Sequence, residues 1–230
     1  MALLESTSLQ VRCHKYPSSG PPARQVAYRG LEVTAVQIFL IRHGETALNA
    51  AGVLRGQLDI ALDAAGEAEA SALGEAFHEV RLSAVVSSPL KRALDTARPI
   101  AEASGAPLTT DERLRDRFYG ELAGHSLAEA EERFGSIDAA PFVETPHLLG
   151  RRAQESFGDA AALGVQRAGA VALVTHDAVL RALLALLVPA LATVKLDLPT
   201  GSWSEVVADS PTGLWSARRL GQLPASGERP

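Results

Sequence analysis

Three apolar runs along the chain stop abruptly at polar, reactive residues, and a helical pattern follows each. The first run, Val33 to Ile41, is rich in β-branched residues and reads as a buried strand ending at Arg42-His43-Gly44. A loop follows, with Asn49 and the glycine-containing segment from Gly52 to Asp59. Asp63 is placed to cap a helix that carries Leu73, Ala76, Phe77 and Val80 at helical spacing. The second run, Ser83 to Ser87, ends at Ser88-Pro89. Serine as cap and proline in the first turn predict a helix starting there. Leu90, Leu94, Ala97 and Ala101 line one face of that helix, and Lys91 and Arg92 fall in its first turn. The third run, Val171 to Thr175, ends at His176-Asp177 and passes into a strongly apolar helix.

Elsewhere the pattern is weaker. Pro107 to Thr110 suggests a short strand, and residues 114–124 form a loop dense in charge and aromatics. Ser126 and Glu129 make a capping box that opens a helix to Phe134. Residues 136–158, with Pro141 and Pro146, read as irregular, and the helix after Glu155-Ser156 is expected to be short. Further strands are expected at Glu205–Ala208 and Trp215–Ala217. Residues 1–32 contain Ser18-Ser19-Gly20-Pro21-Pro22 and no sustained period, so they read as a disordered extension. Residues 221–230 read as a flexible tail. The domain expected is therefore 33–220.

Strands alternating with helices predict an α/β fold on a mostly parallel sheet. Ligands of such sheets sit outside the carboxyl ends of the strands. The pattern thus brings His43, His176, Arg42 and Arg92 to one edge, despite their separation in sequence. Arginines present forked donors suited to phosphoryl oxygens, and a histidine is a nitrogen nucleophile or proton carrier. Gly44 would let main chain approach closely.

Composition narrows the chemistry. The net charge of −5 excludes a general electrostatic nucleic-acid binder, so positive charge for phosphate must be local. Only three of the 22 cationic residues are lysines (Lys15, Lys91 and Lys195), so the candidate anion ligands are arginines. Cys13 is the single cysteine, which excludes an internal disulfide and a cysteine metal cluster. Two histidines among arginines, without a clear carboxylate third ligand, argue against zinc. The most apolar segment, 178–194, is interrupted by Arg181 and Pro189 and reads as a buried helix, not a membrane span. No secretory pattern precedes Val33, so a cytoplasmic protein without membrane or nucleic-acid partners is expected.

Taken together, Leu40–Thr46 with Asn49, Arg55-Gly56, Ser87–Ala93, the Leu114–Gly124 loop and Val174–Asp177 resemble the histidine phosphatase superfamily, also called the phosphoglycerate mutase-like family. The resemblance runs from about Val36 to Leu220 and implies that family's three-layer α/β/α sandwich. It implies His43 as the nucleophile that becomes phosphohistidine, and a phosphoryl pocket of Arg42, Arg92 and His176. It also implies Asn49 and Gly56 as pocket-lining residues and Asp116 as the proton donor to the leaving group. In the acid phosphatase branch the donor comes from a His-Asp pair, which makes Asp177 the rival. The resemblance implies no metal and no organic cofactor.

The expected activity is phosphomonoester hydrolysis on a small phosphorylated metabolite. Mutases of the family carry a long basic insertion after the acid loop. Here residues 118–150 hold a single arginine, Arg133, and no lysine. The alternatives are a 2,3-bisphosphoglycerate-dependent phosphoglycerate mutase and a non-catalytic phospho-ligand-binding module.

Overall fold

The computed structural model describes residues 35–224. Its strands are β1 (Val36–Arg42), β2 (Leu82–Ser87), β3 (Leu108–Thr110), β4 (Ala170–Thr175), β5 (Trp203–Ala208) and β6 (Ser216–Gln222). They form one sheet in the order β3-β2-β4-β1-β5-β6. The first four are mutually parallel where they pair, and β5 and β6 add an antiparallel edge. The helices are α1 (Ala47–Ala50), α2 (Ala64–Phe77), α3 (Lys91–Ser104), α4 (Leu127–Phe134), α5 (Pro146–Arg167) and α6 (Asp177–Leu187).

Period-two alternation of buried strand residues builds the layers. Ile38, Leu40, Val171 and Leu173 pack against Phe157, Ala161, Leu180 and Leu184 of α5 and α6. Phe39, Ile41, Ala172 and Val174 face the other way, against Leu73, Phe77, Ala97 and Ile100 of α2 and α3. Helices therefore cover both faces, as the apolar runs require. In β2 a bulge between Leu82 and Ala84 turns Leu82 and Val85 to the same core. A third, smaller core of Leu122, Ala130, Ala140 and Val143 supports the loops between β3 and α5.

Several sequence expectations are corrected. The helix after Ser88-Pro89 starts later, at Lys91, because Leu90 is still extended. The Ser88 amide remains tied to the Val174 carbonyl at 2.9 Å, and the Ser88 hydroxyl is held by a histidine described below. The helix is capped from a distance instead: the Lys91 amide donates to Asp59 Oδ1 at 2.7 Å. Conversely α5 starts at Pro146, so much of the segment expected to be irregular is helix, and the helix is long. Thr145 caps it by accepting from the Leu148 amide. Its buried stripe runs Leu149, Ala153, Phe157 and Ala161 at i+4 spacing, which small residues make faint in the sequence. His147 lies in its first turn rather than in a loop. Gly221 and Gln222 belong to β6, and the expected extension 1–32 lies outside the described residues.

Candidate active site

The parallel strands deliver the site. β1 and β4 are neighbours, with Arg42 level with Thr175, so the residues just past their ends emerge side by side. The His43 amide donates to the Thr175 carbonyl at 3.0 Å. The rings of His43 and His176 lie 5.1 Å apart, centroid to centroid, and both are fully buried. β2 flanks β4 on its other side and brings Ser88 and α3, with Arg92, to the same edge.

The surroundings of His43 fix its tautomer. Its Nδ1 lies 2.7 Å from the Gly44 carbonyl oxygen. A carbonyl only accepts, so Nδ1 carries the proton and Nε2 keeps its lone pair. Arg92 Nε donates toward that Nε2 at 3.3 Å. Burial, then the Arg92 charge, holds the His43 ring well below the ordinary histidine range. His176 is lowered for the same reasons, with His43 itself adding to the effect. Its Nε2 is 2.8 Å from Ser88 Oγ, whereas Nδ1 is buried without a hydrogen-bond partner and faces Asp116 Oδ2 at 4.0 Å.

Arg92 is fully buried and is gripped by the loop after α1. Its Nη1 donates to the Leu58 carbonyl and its Nη2 to the Gly56 carbonyl, both at 2.8 Å. Nη2 also reaches Asp116 Oδ2 at 3.2 Å. Gly56 adopts positive φ and packs under the Tyr119 ring, where a Cβ would lie 3.0 Å from the ring edge. Its part in the site is to hold Arg92 and admit Tyr119.

Asp116 is buried beside Arg92 and His176, and the Arg117 amide donates to its Oδ1 at 2.9 Å. Burial raises its pKa, against the lowering pull of Arg92. Asp177 has a different setting. It is the first residue of α6, with His176 as the cap, and it is more exposed. Its Oδ2 accepts from Arg181 at 2.8 Å and its Oδ1 lies 3.6 Å from Arg42. Asp177 reaches the site only through Arg42, whose Nη1 also donates to the Leu198 carbonyl at 2.6 Å.

Asn49 sits on α1 and its Oδ1 accepts from the Thr46 hydroxyl at 2.8 Å. The expectation for Gly44 is corrected. Its amide donates to Thr96 Oγ1, and a Cβ there would lie 2.5 Å from the Gly66 carbonyl oxygen. The close main-chain approach is that of α2, so Gly44 fastens helices to β1 and does not present an amide to a ligand.

Sequence reading passed over two residues that shape the site. Ser88, read as a helix cap, holds His176. Arg152 on α5 donates to the carbonyls of Arg113 and Arg115 at 2.6 Å and of Asp116 at 3.0 Å, and pairs with Glu144. It thereby clamps the loop that carries Asp116. Its partners are backbone carbonyls far away in the chain, which leave no local sequence signal. Among the described residues no group of three or more His, Cys, Asp or Glu side chains is placed to hold a metal ion. Nor is any described helix long and apolar enough to cross a membrane.

The two neutral histidines couple stability to pH. In the unfolded chain each titrates near the ordinary value of about 6.5, whereas the folded pKa values are lower. As pH falls below 6.5 the unfolded state takes up protons that the folded state does not, so stability falls. The limiting slope is about 1.4 kcal/mol per pH unit for each ring. Asp116 acts with the opposite sign, because its folded pKa lies above its unfolded one. Its contribution is present at low pH and is lost as pH rises toward that raised value. Urea unfolding between pH 7.5 and 5.5 is expected to show a steeper acid loss for the native protein than for a His43→Gln/His176→Gln variant. Parallel curves would contradict the burial of two neutral rings.

A fold of this layout, with two histidines and two arginines at the carboxyl edge, is matched by comparison with known proteins. The model of the histidine phosphatase superfamily (branch 1) matches residues 38–222, and the chain belongs to that family. Over 100 residues it is 41% identical to "Probable phosphoglycerate mutase GpmB" of Salmonella choleraesuis, a match covering 42% of this chain and 46% of that protein. The match therefore spans about half the length of that relative. Among solved structures, mycobacterial glucosyl-3-phosphoglycerate phosphatase superposes with a TM-score of 0.74 at 24% identity, over 82% of this chain and 99% of that one. An Escherichia coli protein provisionally named alpha-ribazole-5'-P phosphatase superposes with a TM-score of 0.71 at 25% identity, over 82% and 97%. The phosphoglycerate mutase-like α/β fold expected from the sequence is the fold observed.

Proposed function

We propose that this protein hydrolyses phosphomonoesters of small metabolites through a phosphohistidine on His43. The observation that carries the reading is the pairing of a neutral His43, its Nε2 lone pair turned toward Arg92, with a buried Asp116 next to the same arginine. In the first step Nε2 attacks phosphorus and the P–O ester bond breaks. The leaving oxygen takes its proton from the Asp116 carboxylic acid. In the second step the Asp116 carboxylate takes a proton from water as that water attacks the phosphohistidine. Orthophosphate leaves, and both side chains return to their starting forms. Arg42, Arg92 and His176 supply donors for the three equatorial oxygens, whose charge must be stabilised throughout.

Hydrolysis rather than mutase transfer is favoured by the cover over the site. In the interval 118–150 the one arginine, Arg133, is stacked on Phe134 at 5.1 Å. Flanking Arg117 and Arg152 are paired with Asp138 and Glu144. The Escherichia coli neighbour, provisionally named a phosphatase of a small phosphate ester, points the same way.

The test is p-nitrophenyl phosphate turnover in EDTA, with rapid acid-free quenching to trap the enzyme. Turnover with a base-stable, acid-labile phosphoryl group on the protein is expected. A 2,3-bisphosphoglycerate-dependent mutase rate equal to or above the hydrolytic rate would replace this reading with the mutase. Phosphate binding without any phosphoenzyme would replace it with a binding module.

A further inference from the structure

The segment that carries Asp116 has no regular structure to hold it. A short 3-10 turn, Glu112–Leu114, precedes it, and residues 115–119 belong to no helix or strand. Side chains from elsewhere in the chain hold its carbonyls instead. Thr175 Oγ1 donates to the Leu114 carbonyl at 2.7 Å, and the Gln57 side-chain amide donates to that of Asp116 at 3.2 Å. Arg152 of α5 does the rest.

Each of the five N–H donors of the Arg152 guanidinium meets an acceptor. Nη1 donates to the Arg113 and Arg115 carbonyls, Nη2 to the Asp116 carbonyl and Glu144 Oε2, and Nε to Glu144 Oε1. Glu144 carries the hold past Asp116. Its Oε2 accepts from the Phe118 amide at 3.1 Å, its own amide donates to the Phe118 carbonyl at 2.8 Å, and its carbonyl accepts from Arg117 Nε at 2.7 Å. Arg152 and Glu144 together therefore grip the backbone on both sides of Asp116. The carboxylate oxygens of Asp116 have other partners, Oδ1 the Arg117 amide and Oδ2 Arg92.

A planar fork with every donor matched fixes direction as well as place. Lysine, a single nitrogen on a flexible stem, matches the charge but not the fork. Asp116 is a short side chain, so its carboxyl goes where its backbone goes. Protonating a leaving oxygen needs that carboxyl within hydrogen-bond reach, and a shift of about 1 Å caused by a change remote from the chemistry can cost about 10²-fold.

We infer that Arg152 is a positioning residue for the Asp116 proton: by holding the backbone of residues 113–116 it sets where the carboxyl meets the leaving oxygen, and so governs the rate for poor leaving groups without taking part in phosphoryl binding. This rests on the hydrolytic reading above and deepens it.

Arg152→Ala would strand the Glu144 carboxylate, so the test uses Arg152→Lys, which keeps a cation beside it. Arg152→Gln/Glu144→Gln, which removes both charges, is the second variant should the lysine fail to fold. Single-turnover release of the leaving group, with saturating enzyme in excess, reads the first step by itself and does not depend on the folded fraction. Glycerol release from glycerol 3-phosphate is expected to slow by at least about 10-fold. Release of p-nitrophenolate, which leaves without a proton, is expected to stay within about 3-fold of native, as is the half-saturating concentration for both esters. In an Asp116→Asn background Arg152→Lys is expected to slow glycerol release by less than about 3-fold further, because the proton it positions is gone. Equal slowing of both esters would overturn the inference, as would a smaller effect on glycerol 3-phosphate in the folded variants. Full slowing in the Asp116→Asn background would overturn it too, by showing that Arg152 acts through something other than Asp116. Failure of the hydrolytic reading itself would look different, as absence of the phosphoenzyme in the native protein.

Discussion

His43→Ala is expected to lower turnover of every phosphomonoester by at least about 10⁴-fold and to leave no acid-labile phosphoryl group on the protein. Among the described residues no other imidazole is placed to replace it. His176 is the nearest, but its Nε2 is engaged by Ser88, and its Nδ1 faces Asp116 rather than the pocket wall formed by Arg92. His43 is also the ring whose proton position the backbone dictates, through the Gly44 carbonyl, and whose Nε2 therefore stays unprotonated at neutral pH. The substitution removes one acceptor from Arg92 Nε while the Gly56 and Leu58 carbonyls and Asp116 still hold the guanidinium. The fold is expected to survive at a cost of about 1–3 kcal/mol, read by urea unfolding beside the kinetics. A folded variant that keeps more than a hundredth of native turnover would exclude His43 as nucleophile.

Asp116→Asn is expected to slow hydrolysis of alkyl phosphates such as glycerol 3-phosphate by about 10²–10⁴-fold. The alkoxide then leaves without a proton. p-Nitrophenolate leaves readily unaided, so the first step on p-nitrophenyl phosphate is expected to stay fast. The second step still lacks its base, so stopped-flow traces are expected to show a burst of p-nitrophenol followed by slow turnover. The pH profile adds a sign. The proton-donating form of Asp116 is the acid, and burial raises its pKa, so native activity on alkyl esters is expected to fall as pH rises through that raised value. The asparagine variant is expected to lose this limb. Asp177→Asn removes an ion-pair partner of Arg42 and Arg181 on a partly exposed carboxylate. Its effect is expected to stay below about 10-fold on every substrate, in line with exposed pairs. A larger loss on alkyl phosphates for Asp177→Asn than for Asp116→Asn would exchange the two roles.

The reactive residues at strand ends were legible from the chain alone because three signals coincide there. A β-branched run that is buried on both faces needs no partner to be recognised, and its end is marked where polarity returns. In a parallel sheet those ends share an edge, so His43, Arg92 and His176 could be brought together without coordinates. Local capping chemistry at Asp63 and at Ser126 with Glu129 was equally readable, since cap and capped amide lie within three residues of each other. Sequence pattern also sufficed for the two-sided burial of β1 and β4 and hence for the layered architecture.

What the tertiary structure alone decided are contacts between residues distant in the chain. The start of α3 depends on Asp59 from another loop, and Ser88 turns to His176 instead of capping. The clamp of Arg152 on the Asp116 loop joins positions 36 to 39 residues apart through backbone carbonyls, which every residue possesses and no sequence advertises. Gly44 shows the same limit. Its need for no side chain was visible, but the crowding atom is the Gly66 carbonyl of α2 and not a ligand. Asp116 and Asp177 are the same side chain in sequence. Burial beside Arg92 in one case, and ion pairs at a partly exposed helix end in the other, separate the carboxyl whose pKa is raised from the one that pairs with Arg42 and Arg181. Desolvation and partner charge set that difference, and both are properties of the folded surroundings.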